Sequence, residues 1–158
     1  MSITEKLITY LSEHDVKYER RTHAPSETCE LSAKHRGEDI KIGGKTLLFK
    51  SKHGFHLFSI SAEKGVDNAK VRKILKSKKL RFASSEELME LCGVVKGALP
   101  PLGNGFYPFD HYVDESIFEN EKIAFNAGDL SISIIMDIEE YKKLIDPVVC
   151  KFSKDDVC

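Results

Sequence analysis

Residues 43–61 read GGKTLLFKSKHGFHLFSIS. Two apolar runs, Lys45 to Lys50 and Phe55 to Ser61, flank Lys52-His53-Gly54, and this pattern predicts a β-hairpin entered through a glycine pair. Downstream, Asp67 is placed to N-cap a helix through Lys76 that buries Val71, Ile74 and Leu75 and turns Lys70 and Lys73 to solvent. Leu80 to Ala83 reads as a strand, and Ser84 with Glu87 as a capping box for a helix closed by Gly93. Upstream, Ile3, Leu7, Ile8 and Leu11 recur at helical spacing, predicting an amphipathic first helix that ends near His14. A strand from Val16 to Arg21 and a helix from Glu27 to Arg36, stopped by Gly37, should follow. Toward the C-terminus, Lys122 to Phe125 and Ser131 to Met136 read as strands around Asn126-Ala127-Gly128-Asp129. Asp137 with Glu140 then heads a last helix that stops at Asp146-Pro147. Strands outnumber βαβ units, so the expected fold class is α+β (mixed α/β) with a mixed sheet, not a doubly wound parallel one. Neither repeat nor linker divides the chain, so one domain over 1–158 is expected.

The 158 residues carry 24 Lys plus Arg and 25 Asp plus Glu, a net charge of −1, with 41% hydrophobic and 31% charged content. That is the composition of a globular chain large enough to fold on its own core. The balance conceals an uneven distribution: residues 41–81 hold 12 Lys or Arg against 2 acids, a local charge of +10, while residues 82–158 sum to −9. A basic stretch inside a neutral chain suggests one face that meets a polyanion. No apolar run is long enough to cross a membrane, and the N-terminus MSITEKLITYLSEHD is unlike a signal peptide, so a cytoplasmic protein without membrane contact is expected. Cys29, Cys92, Cys150 and Cys158 lack the close pairing of zinc sites and read as reduced thiols. Neither metal nor cofactor is expected.

Three places offer chemistry. Lys45 follows Gly43-Gly44 and opens a strand, so it is either a rigidly held cation beside open backbone or a solvated strand-end lysine. The segment Gly93 to Phe109, GVVKGALPPLGNGFYPF, has four Gly and three Pro in 17 residues and cannot be a regular element for long. Within it Gly97, Ala98, Leu99 and Pro100 form either a ligand-approaching loop with fixed free amides or a stiff connection. Asn126, Ala127 and Gly128 form either a recognition turn or a tight hairpin. His23 and Cys29 invite a Cys/His nucleophile reading, but nothing nearby would form a thiolate, and a pocket-lining or core role is the alternative. Lys70, Lys73, Lys76, Lys78 and Lys79, with Arg81, are candidates for polyanion contact or a merely solvated face.

Taken together, GGKTLLFK with Lys45, the GVVKGALPPLG loop and the IAFNAG turn resemble the YbaK family, the freestanding relatives of the editing domain inserted in bacterial prolyl-tRNA synthetases. The likeness spans residues 5–145. Thr22-His23, Cys29-Glu30 and Arg36-Gly37 add matches that resemble the YeaK-type branch, which removes Ser and Thr from mischarged tRNA. The resemblance implies a mixed sheet curled into a small barrel with packed helices, and hydrolysis of an aminoacyl ester at the acceptor end of mischarged tRNA. In it Lys45 corresponds to the lysine that family members require, and a synthetase is a conceivable partner; DNA is not. The family's serine- or histidine-containing turn is replaced here by Asn126 and Asp129, and Pro100-Pro101 departs from the usual single proline.

An aminoacyl ester is already activated, so such a site must position water, stabilise an oxyanion and exclude the correct amino acid. A cationic Lys45 and free amides from residues 97–99 suit those tasks, and proton abstraction can fall to the 2′-hydroxyl of the tRNA. Ser and Thr are the expected amino acids if Asn126 and Cys29 meet the hydroxyl; an all-apolar pocket would favour Ala, and Cys is a further alternative. The competing classes are a tRNA- or synthetase-binding module without hydrolysis, and a hydrolase of free esters that would need no +10 segment.

Overall fold

The computed structural model describes residues 2–26, 28–103 and 105–155; the predicted helix start at Glu27 and the thiol of Cys158 lie outside them. Among the described residues the chain forms α1 (Ile3–Glu13), β1 (Glu19–Thr22), α2 (Cys29–Arg36), β2 (Gly44–Ser51), β3 (Gly54–Ser61) and α3 (Asn68–Leu75). There follow β4 (Leu80–Phe82), α4 (Ser85–Cys92), β5 (Asp110–Asp114), β6 (Lys122–Asn126), β7 (Ile132–Asp137), α5 (Ile138–Lys142) and β8 (Val148–Cys150). Among these residues no helix is long and apolar enough to cross a membrane.

The predicted hairpin is the centre of the fold. β2 and β3 pair antiparallel from Gly44↔Ser61 to Ser51↔Gly54, with a two-residue turn at Lys52-His53. They sit in a five-stranded mixed sheet of order β4-β2-β3-β5-β8, beside a three-stranded antiparallel sheet β1-β7-β6. A parallel bridge, Gly43↔Ala124, joins the two at the start of β2, and the whole is the mixed α+β arrangement of sheet and packed helices expected from the sequence.

Three apolar clusters fill the spaces. Leu7 and Leu11 of α1 pack with Phe125, Ile134 and Tyr141; Leu48 and Leu57 pack with Leu88, Leu99 and Tyr107 under the Gly/Pro loop. On the opposite face of β2 and β3, Phe49, Phe58 and Ile60 pack against Val71 and Leu75 of α3. The helix ends follow their predicted caps: Ser84 and Glu87 form the capping box, and Gly37 and Gly93 close helices at φ +77° and +72°. In this region glycine is the least strained residue.

Elsewhere local signals were overridden. β1 begins at Glu19, because the Val16 amide donates to the Leu11 carbonyl and its side chain is buried against α1. Asp137 occupies the N-cap of α5 without a capping hydrogen bond, while Glu140 pairs with Lys143 at 2.9 Å. β5, DHYVD, has no apolar pattern, yet lies between β3 and β8, parallel to both. Its buried Asp114 accepts amide hydrogens from Ser116, Phe152 and Ser153 at 2.8–3.1 Å, which replaces the water lost on burial.

His111, also in β5, is buried with its Nε2 2.8 Å from Ser59 Oγ and its Nδ1 without a partner. Burial holds its pKa down to about 4, against an ordinary 6.5. As pH falls through 6.5 the unfolded chain takes up a proton that the folded chain refuses until about pH 4. Stability present at neutral pH therefore declines across that window, by on the order of 3 kcal/mol for this group. His56, lowered chiefly by burial, adds in the same direction. His111→Gln should remove one proton's worth of this slope in urea unfolding between pH 6.5 and 4; an unchanged slope would show that other groups cause it.

Candidate active site

The site follows from the hydrogen-bonding edge of β2. One edge is paired with β3 throughout; the other meets β6 at Gly43 and the β4 segment from Leu48 onward, where the Ala83 amide donates to the Leu48 carbonyl at 2.8 Å. Between these contacts, residues 44–47 have no strand partner among the described residues, and the strands on either side diverge. A cavity of about 720 Å³ opens there, lined by Lys45, Thr46, Gly97, Leu99, Cys29 and Arg36 among others. Gly44 fixes how closely the two sheets approach, since a Cβ there would lie 2.9 Å from Ile123 Cδ1.

Lys45 is half-buried on this open stretch, and its ammonium has no hydrogen-bond or ion-pair partner among the described residues. Across the cavity stands the Gly/Pro loop, where Gly97 takes φ +91°. The amides of Gly97 and Leu99 donate to no carbonyl among the described residues, whereas that of Ala98, expected to be free with them, donates to Val95 at 3.1 Å. The Ala98 carbonyl accepts from Gly128 at 2.9 Å, and neither residue lines the cavity. Pro100 and Ala127 are likewise buried behind it, with the Ala127 carbonyl accepting from Thr4 Oγ1 at 2.7 Å. These four residues fix the loop from behind.

What fixes it from the side is a polar network that sequence reasoning did not assemble. Arg36 is 8% exposed; its Nε donates to Ser133 Oγ at 2.7 Å and its Nη2 to Asn126 Oδ1 at 3.1 Å. Asn126 Nδ2 donates in turn to the Gly97 carbonyl at 2.9 Å. Both ends of the Asn126 amide are thus engaged within the protein, although it borders the cavity. Burial lowers the Arg36 pKa to about 10, so it remains a cation at neutral pH. His23 lies outside the cavity lining and closes the network, with Nε2 2.7 Å from Ser133 Oγ. Because its Nδ1 faces the Ala24 carbonyl at 2.8 Å, Nδ1 carries the hydrogen and Nε2 accepts from Ser133. Cys29, in the first turn of α2, presents a half-buried free thiol to the cavity.

A second chain of hydroxyls reaches the cavity wall: Thr46 Oγ1 is 2.9 Å from Ser59 Oγ, which is 2.8 Å from His111 Nε2. Since an orphaned buried N–H costs more than an unpaired lone pair, the hydrogen of neutral His111 sits on Nε2. Thr46 thus presents its hydroxyl at the cavity wall, linked through Ser59 to His111 in the core.

The lysines separate into two groups. Lys70 pairs with Asp155 at 2.8 Å and donates to the Ser153 carbonyl. Lys73, Lys76, Lys78 and Lys79 join Lys52 and Arg72 around one open groove. Lys76 ends α3 at φ +52°, and the chain turns back there, bringing residues 76–79 beside the helix face that carries Lys73. α3 connects the two features: Asn68, its first residue, lines the cavity, and its far end borders the groove, about 12 Å away at helical rise. Among the described residues no cluster of His, Cys, Asp or Glu could hold a metal ion.

A partner-free lysine and loop amides that donate to no carbonyl among the described residues thus border one cavity, with a basic groove at the far end of α3. The family signature of the aminoacyl-tRNA editing domain matches residues 23–144. The chain is 31% identical over 156 residues to the multifunctional Ser/Thr-tRNA deacylase ProXp-y of Escherichia coli K12, covering 95% of this chain and 92% of that one. It is 23% identical to the prolyl-tRNA editing protein ProX of Acetoanaerobium sticklandii, with 92% of each covered. A crystal structure described as that of a candidate trans-editing enzyme for prolyl tRNA synthetase superposes with a TM-score of 0.83 at 22% identity, covering 98% of this chain and 99% of that one. The chain belongs to the aminoacyl-tRNA editing domain family.

Asn126→Ala leaves the Gly97 carbonyl and the Arg36 guanidinium short of partners. The expected cost is about 1–3 kcal/mol in urea unfolding, with about a tenfold fall in kcat/KM as the loop loses register. Unchanged stability and rate would show that the network does not hold the loop.

Proposed function

We propose that this chain is a freestanding trans-editing deacylase, one editing domain over residues 1–158, that hydrolyses the ester joining serine or threonine to the acceptor end of mischarged tRNA. The observation that carries this reading is the partner-free Lys45 on the open outer edge of β2, sharing one cavity with a loop whose Gly97 and Leu99 amides donate to no carbonyl among the described residues. Water attacks the ester carbonyl carbon, and the negative charge that develops on the carbonyl oxygen is met by the Lys45 ammonium and the loop amides. The attacking water's proton passes to the terminal 2′-hydroxyl as that group hands its own proton to the departing 3′-oxygen. The carbon–oxygen bond to the ribose breaks, and free amino acid and tRNA, with both ribose hydroxyls restored, leave. No covalent enzyme intermediate is required.

Support for serine and threonine comes from the name of the Escherichia coli relative and from the polar groups that face the cavity, the Thr46 hydroxyl and the Cys29 thiol. A substrate hydroxyl that meets such a partner is discriminated more strongly than a methylene difference in an apolar pocket. The groove lysines and Arg72 supply phosphate contacts along the acceptor stem, with Lys70 outside this set. Docking on a synthetase is supported by the 27% identity of 106 residues to a proline–tRNA ligase of Thermosipho melanesiensis, of which the chain covers 19%. The cytoplasm, where tRNA is charged, is its proposed location.

Lys45→Ala should abolish release of serine and threonine from purified mischarged tRNA while shifting stability by no more than about 1 kcal/mol, since no hydrogen bond or ion pair is lost. A fully active variant would overturn the mechanism. Cleavage of alanyl- or cysteinyl-tRNA alone would overturn the substrate assignment, and tRNA binding without hydrolysis of any ester would leave a binding module. Replacing Lys73, Lys76 and Lys79 together by Gln should weaken tRNA binding and reduce the slope of log affinity against log salt by about 2 to 3. An unchanged slope would remove the groove from the interface.

A further inference from the structure

At the border of the cavity the chain displays a large aromatic side chain with one face packed and the other open. Phe82, at the end of edge strand β4, is 53% exposed, lines the cavity and stacks one face on Phe49 at a centroid distance of 4.7 Å and 25° between planes. Its other face has no aromatic partner among the described residues. Phe49 is already buried among Phe58 and α3, so Phe82 extends that aromatic stack outward to solvent.

The position of Phe82 relative to Lys45 is set by the sheet. Phe82 is the register partner of Phe49, and side chains opposite one another in a ladder share a face. Lys45, Leu47 and Phe49 alternate onto that same face of β2. Lys45 and Phe82 therefore project from one face, separated by about 13 Å of strand, the rise of four residues. The lysine stem shortens that gap, and Leu47, which also lines the cavity, floors the interval. An apolar floor ending in an open aromatic face, on the strand that follows groove residues 76–79, suits a flat base attached to a charged backbone.

Resting on the deacylase reading above, we infer that Phe82 is the platform on which the 3′-terminal adenine of the tRNA stacks, so that base and ester are held on one face of β2. Every base has a π-face, and stacking on an aromatic side chain supplies affinity without hydrogen-bond readout. The anchor is placed on the substrate away from the amino acid, so it acts equally on every aminoacyl group and selects for the carrier.

The test uses the full chain and tRNA whose 3′-terminal adenine is replaced by 2-aminopurine, whose fluorescence is quenched on stacking. Wild-type protein and Phe82→Trp should quench the probe; Phe82→Ala and Phe82→Leu, the latter retaining an apolar cover for Phe49, should not. In deacylation of seryl-tRNA, Phe82→Ala and Phe82→Leu should raise KM about tenfold with little change in kcat, and Phe82→Trp should restore it. With an abasic 3′-terminal nucleotide, wild type and Phe82→Leu should have the same raised KM. Quenching that survives in Phe82→Leu, or a KM penalty that persists on the abasic substrate, would overturn the assignment. Quenching that depends on Phe82, in a protein that cleaves no ester, would instead reject the deacylase reading while leaving the platform in place.

Discussion

A strand edge can be hydrogen-bonded by only one neighbour at a time, and β2 divides its outer edge between two. The glycine end belongs to β6 through Ala124 and the other end to β4 through Phe82, with no strand partner for residues 44–47 among the described residues. In a central strand such a gap exposes backbone polar groups where burial would be costly, and the structure keeps water access there by letting the strands part. The cavity is therefore a direct product of the pairing scheme. Lys45 and Thr46, adjacent in sequence, reach it from opposite faces of the strand because side chains alternate across the pleat.

The second constraint is the buried guanidinium of Arg36. Removing an ion from water costs several kcal/mol, and Arg36 is satisfied through neutral oxygens, Ser133 Oγ and Asn126 Oδ1, with no carboxylate hydrogen-bonded to it among the described residues. Its hydrogen-bond acceptors are neutral and the Glu38 carboxylate acts on it only through space, so the cavity lining that includes Lys45 holds a second cation fixed in place. The hydrogen bonds that make burial tolerable also carry the position of α2 into β6 and on to Gly97, so an electrostatic requirement and a geometric one are met by the same contacts.

How much of this could be read from the chain depends on whether the signal is local. The hairpin, the box at Ser84 and Glu87 and the glycine stops at Gly37 and Gly93 are encoded within a few residues, and they stand where expected. β5 is not visible, because its buried Asp114 is satisfied by Phe152 and Ser153 amides some 38 residues away and no apolar alternation survives. The position of Lys45 on a strand behind a glycine pair was legible. The Arg36–Ser133–Asn126 network was not, since its partners are 97 and 90 residues apart and each is an ordinary polar residue in its own context. The Gly/Pro loop was recognisable as irregular, but which of its amides stay free depends on a turn bond from Ala98 to Val95 that composition does not reveal.

Gly44 ties the size of the opening to the interior of the protein. Its missing side chain lets Ile123 approach β2 to the distance at which the two sheets bridge, and Ile123 belongs to the same packed cluster as Phe125 and Leu7. Any bulk introduced at 44 would press on that cluster before it narrowed or widened the entrance. The aperture is thus mechanically continuous with the core, and variation in what the cavity admits must come from positions such as Cys29 and Thr46 that can change without moving a sheet.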